Sequence, residues 1–162
     1  MVVENVMLET DKRISLRVLA AVLMAGLFMV MSLSVPVQAA ERMSVKVSLA
    51  NVRTKPDAKS ELAWQVTKYH PFLVLKKKGD WYKCKDFEGD QGWLFKKLLV
   101  KTATVITLKE NCNIRSGPSN KKQILFIVDR EVPLKVLKRD GRWLKVEHED
   151  GDQGWIHASL VW

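Results

Sequence analysis

The chain has 162 residues, 27 Lys+Arg against 18 Asp+Glu, and a formal net charge of +9. At 47% hydrophobic and 28% charged it is neither a disordered tail nor a multi-span membrane protein, and its length admits one ordinary domain or two very small ones. Two cysteines exclude a disulfide-dense scaffold and a thiolate-rich zinc site, and three histidines leave little for a metalloenzyme, so no metal or other cofactor is expected.

Lys12, Arg13 and Arg17 precede an uncharged apolar run over residues 18–31, which is followed by Ser32, Ser34, Pro36 and then Val37-Gln38-Ala39. A positive start, an apolar centre, a helix breaker and small residues at the cleavage positions predict a secretory signal peptide over residues 1–40, cut after Ala39 or Ala40. The competing reading keeps this segment as an anchor, because residues 18–37 approach the ~20 that a spanning helix needs. Only in that case is a membrane a partner. On either reading the folded part is expected to be extracytoplasmic, periplasmic or secreted, where nucleic acid is not an expected partner. The segment has three positive and three negative charges, so residues 41–162 carry the whole net +9.

The rest of the chain is one unit written twice. A shift of 62 positions superposes residues 51–100 on 113–162 without a gap. Asn51-Val52-Arg53 falls on Asn113-Ile114-Arg115, Pro71 on Pro133, and Gly79, Trp81 and Lys83 on Gly141, Trp143 and Lys145. Gly89-Asp90-Gln91-Gly92-Trp93 recurs unchanged as Gly151-Asp152-Gln153-Gly154-Trp155. In chain order each unit opens with β-rich residues (Val45-Lys46-Val47, Thr104-Val105-Ile106) and passes through a polar, proline-containing loop (residues 51–59 in the first copy). It then alternates strands with glycine turns: Leu73-Val74-Leu75, Trp81–Cys84 and Gln91–Leu94, matched by Leu134–Leu137, Trp143–Val146 and Gln153–Ile156. Short strands at this spacing predict an all-β fold of two small barrels or sandwiches. A unit of about 60 residues is marginal alone, so the two copies are expected to touch and to share apolar surface.

The order Asn-Ile-Arg-Ser-Gly-Pro (113–118), Gly-Arg-Trp-Leu-Lys-Val (141–146) and Gly-Asp-Gln-Gly-Trp-Ile (151–156) resembles the bacterial SH3-like (SH3b) family. The first copy departs at Lys55, where the pattern has glycine, and at Cys84, where it has valine. Lys55 disfavours a left-handed backbone, so that loop is expected to differ between copies. The resemblance implies two tandem SH3-like β-barrels, over residues 44–101 and 103–162. It also implies a non-enzymatic binding module for cell-wall peptidoglycan or short peptides. The alternative is an adaptor or subunit that docks on another envelope protein.

Within that frame Trp81, Trp93, Trp143 and Trp155 are candidate ligand-binding residues, since rings line grooves for extended peptides or stack on sugars; each is equally at home in a small barrel's core. Asn113 and Arg115 are candidates beside them, with bracing of the long loop, shared with Asn51 and Arg53, as the plainer role. Cys84 and Cys112 fall where the other copy holds Val146 and Ala50. They read either as small buried side chains or as a disulfide that export permits. His70, His148 and His157 lack metal spacing, the acidic residues sit in turns, and no catalytic residue is assigned. Residues 41–101 carry a net +7 against +2 for residues 102–162, with the excess centred on Lys76-Lys77-Lys78. Such a face attracts polyanions.

Overall fold

The computed structural model describes residues 41–162; the signal-peptide expectation lies outside them. The described residues form two antiparallel sheets and no α-helix. The first contains β1 (Glu41–Val45), β2 (Leu49–Arg53), β3 (Leu62–Thr67), β4 (Pro71–Lys78), β5 (Trp81–Lys85), β6 (Gln91–Phe95) and β7 (Leu99–Val100), in the order β3-β2-β6-β5-β4-β1-β7. The second contains β8 (Thr104–Ile106), β9 (Cys112–Arg115), β10 (Ile124–Val128), β11 (Pro133–Asp140), β12 (Trp143–Glu147) and β13 (Gln153–His157), in the order β10-β9-β13-β12-β11-β8. A 3₁₀ turn closes each repeat, at Lys96–Leu98 and Ala158–Leu160.

The period-two alternation that makes a half-buried strand is plain in β6 and β13, where Gly92, Leu94, Gly154 and Ile156 point inward and the tryptophans between them point out. The turns repeat as faithfully as the strands. Gly79 (φ 57°) and Gly141 (φ 54°) each hold the first position of a two-residue hairpin loop, where a positive φ matches the twist of the flanking strands. Tyr69 and Glu131, 62 positions apart, both take φ 68° at the entry to β4 and β11.

Each repeat encloses its own core. Val45, Val52, Phe72, Cys84 and Leu94 are sealed in the first, and Cys112, Ile114, Leu134, Leu144 and Ile156 in the second. The repeats touch: Met43 and Pro71 of the first and Val105, Val136 and Leu144 of the second line one cavity beside residues 101–104, while most buried apolar side chains fall into one cluster per repeat. Charge and rings also join the repeats. Arg130 pairs with Glu88 and lies over the Phe87 ring, Tyr69 bonds Glu147, and Arg42 sits 4.1 Å over the Trp162 ring.

Three readings are corrected. Residues 51–53 and 113–115 are strand, not loop, because Val52 and Ile114 are needed as core residues. β3 and β10 lie where no strand was expected; as edge strands their exposed positions blur the inward–outward alternation. The loops that follow β2 and β9 do not differ in backbone bonding: Thr54 N–H donates to Glu61 O and Asp57 N–H to Lys55 O, as Ser116 does to Gln123 and Ser119 to Gly117. Neither Lys55 nor Gly117 has a positive φ, so lysine fits that position without strain.

A candidate aromatic groove on the outer face

Antiparallel register decides which side chains share a face. Trp81 lies opposite Phe95 and Lys83 opposite Trp93, with Tyr82–Leu94 and Cys84–Gly92 between them turned to the core. All four candidate tryptophans therefore stand on the outer face of their sheets, half-buried, neither sealed in the core nor free in solvent.

In the first repeat this face forms a groove of about 720 Å³. Trp81 and Phe95 make one wall, with ring centroids 5.5 Å apart. Asn51 and Gln65 contribute amides, joined by a 2.8 Å bond from Gln65 Nε2 to Asn51 Oδ1, and Pro56 and Asp57 form the loop rim. Arg53 anchors that rim by donating from Nη1 to Ser60 O at 2.5 Å; the Asp57 carboxylate accepts from Lys59 N–H at 2.8 Å and tightens the turn. Beyond the rings Lys96 and Asp80 form a 2.7 Å ion pair, which holds the Asp80 carboxyl below and the Lys96 ammonium above their ordinary ranges. The strand ends carrying Trp81 and Phe95 are thus clamped together, also by Lys96 N–H donating to Asp80 O. Apolar walls with a few convergent amides are what a small ligand or extended peptide requires.

The second repeat keeps the frame and changes the chemistry. Trp143 packs edge-on against His157 at 5.2 Å, and His157 Nδ1 lies 2.7 Å from Ser159 Oγ. Arg115 donates to Lys122 O at 2.8 Å, bracing the loop as Arg53 does, and Asn113 lies opposite Ile127. Gln65, Phe95 and Asp57 become Ile127, His157 and Ser119. Phe95, Gln65 and the loop rim escaped the sequence reading. The signal was available, because a ring-bearing residue recurs at 95 and 157 under the 62-residue shift. The facing of Trp81 and Phe95 needs the register of β5 on β6, which sequence spacing does not give.

The two cysteines do not meet: each is a free, buried thiol in the core of its own repeat, so the disulfide alternative does not describe this structure. Burial pushes the Cys84 thiol up to about 12 and raises that of Cys112, the reverse of what a nucleophile needs. His70 is buried against Phe72 and Phe87 with Nε2 unpartnered, and desolvation lowers its pKa to about 4. No three His, Cys, Asp or Glu side chains gather as a metal site among the described residues.

YrvJ of Bacillus subtilis, provisionally named an N-acetylmuramoyl-L-alanine amidase, is 24% identical over 122 residues, covering 68% of this chain and 23% of its own. LytH of Staphylococcus epidermidis, provisionally named a cell wall amidase, is 27% identical over 71 residues, covering 41% of this chain and 24% of its own. The chain spans about a quarter of the length of these curated relatives. Among solved structures, an NlpC/P60 family protein from Bacillus cereus is 20% identical with a TM-score of 0.37, covering 75% of this chain and 55% of that one. The profile of the bacterial SH3 domain matches residues 46–101 and again 108–162, and the chain therefore belongs to the bacterial SH3 domain family, with the domain present in two copies.

Proposed function

We propose that the protein is an exported, non-enzymatic binding module, periplasmic or secreted, that holds cell-wall peptidoglycan or its short peptides in the ring-walled grooves of its two SH3 repeats. The observation that carries this reading is the Trp81–Phe95 wall of the 720 Å³ groove, turned outward and rimmed by a braced loop. The wall-directed names of YrvJ and LytH support the substrate class, and the matched part of each relative is a fraction of its length. Two weak sites in one chain gain by effective concentration when the ligand is a polymer. Trp81, Trp93, Trp143 and Trp155 supply the rings on this reading, with Asn113 and Arg115 shaping the second groove.

The test is a fluorescence titration with soluble muropeptides. Trp81→Ala and Trp143→Ala are each expected to weaken binding by about tenfold, the loss of roughly 1.4 kcal/mol of ring contact, with an unchanged melting temperature. Undiminished binding by both variants overturns the groove assignment. One observation favours the adaptor reading: Leu125 and Ile127 are 50% and 55% exposed on the edge strand β10, where the first repeat has Ala63 and Gln65. A protein that ignores muropeptides but loses an envelope partner on Ile127→Gln supports that role instead.

A further inference from the structure

The strand register also draws a row of side chains across each outer face, which meets the groove at Arg53 in the first repeat and runs away from it through Trp93 to a pair of lysines. In the first repeat Lys76 on β4 lies opposite Lys83 on β5, Lys83 opposite Trp93 on β6, and Trp93 opposite Arg53 on β2. In the second, Lys138, Lys145, Trp155 and Arg115 stand in the same order on β11, β12, β13 and β9. Directly opposed residues in an antiparallel ladder share a face, and four strands carry such a row over about 14 Å. Each repeat thus lines up three cations and an indole, the indole between the arginine and the nearer lysine.

Four features make this row more than a basic surface. Like charges placed directly opposite one another disfavour the ladder, yet Lys76–Lys83 is retained as Lys138–Lys145. Among the described residues none of the six cations has a carboxylate partner. The copies have also diverged on both sides of the row: Lys85 becomes Glu147, and Lys78 becomes Asp140. The arginines keep donors to spare, since a guanidinium has five N–H groups and the loop-bracing bond of each occupies one.

We infer that each row is a binding site for an anionic glycan, with a carboxylate or phosphate held between the paired lysines and a sugar ring lying on the indole. An anion there removes the repulsion of the lysine pair, and the flat face of a sugar suits the neighbouring ring. The two rows give one polymer chain two points of attachment.

The test uses the full-length protein and four probes: polygalacturonate (carboxylate), phosphomannan (phosphate), neutral dextran, and polyphosphate, which has charge but no sugar. The variant K76Q/K83Q/K138Q/K145Q is compared with K46Q/K59Q/K109Q/K121Q, which removes the same charge outside the rows; circular dichroism and melting confirm that both fold. The row variant is expected to lose roughly tenfold or more in affinity for polygalacturonate or phosphomannan, with a shallower salt dependence, while the control changes by less than about twofold. Which of the two polymers binds more tightly assigns the anion. Equal losses in both variants, no binding of either polymer by the wild type, or polyphosphate binding as tightly as the better of the two overturns the inference. A row variant that loses glycan but still binds muropeptides leaves the groove reading intact; the converse result separates them the other way.

Discussion

A methyl group on Gly154 would sit 2.3 Å from Ile114 Cγ2 and 3.0 Å from the Arg115 carbonyl oxygen, and Gly92 meets Val52 Cγ1 at the same 2.3 Å. No rotamer relieves contact with backbone, so the recurrence of Gly-x-x-Gly-Trp reflects close strand approach as well as turn chemistry. Gly154→Ala is expected to lower unfolding stability by about 2–3 kcal/mol in urea titration; a loss below about 0.5 kcal/mol contradicts that account. The cysteines give a second check at this scale. Both thiols are buried and unionised at neutral pH, so a thiol reagent is expected to find no reactive group in the native protein and two after denaturation. A count of none after denaturation without reductant would restore the bridge.

At the level of elements, the turn between β3 and β4 carries a buried group through which pH acts on the fold. Tyr69 holds φ 68° there, and the next residue, His70, is enclosed by rings. Its folded pKa of about 4 lies below the ordinary 6.5, so the unfolded chain takes up the proton first as pH falls. The stability this burial holds is fully present above pH 6.5 and is lost progressively toward pH 4, by roughly 3 kcal/mol. His70→Phe is expected to flatten the fall in stability between those values; an unchanged slope contradicts the burial argument.

The same elements mark what sequence alone could reveal. Strands bounded by glycine turns, such as β5, β6, β12 and β13, were legible, because a turn glycine followed by an alternating run leaves little choice of structure. β2 and β9 were hidden by their polar outer positions: Asn51, Arg53, Asn113 and Arg115 look like loop residues until Val52 and Ile114 are seen to face a core. The ring positions were legible as candidates from the 62-residue recurrence. Their outward facing was not, since strand alternation gives two faces and only the register says which is inside.

At the scale of the whole molecule, two cores joined by the Arg130–Glu88 ion pair and by ring contacts hold the two ring-bearing outer faces in one body while leaving each its own chemistry. The first repeat offers Phe95 and Gln65 in a surround of net +7; the second offers His157 and Ile127 in a surround of +2. The first repeat therefore exerts the stronger long-range attraction on a polyanion. The most direct test of this account is co-sedimentation of the protein with purified sacculi across a salt series. Binding is expected at low salt, weakening as salt screens the first repeat and lost when Trp81 and Trp143 are both replaced by alanine. A wild-type protein that stays wholly in the supernatant at low salt contradicts the claim that these faces recognise the wall.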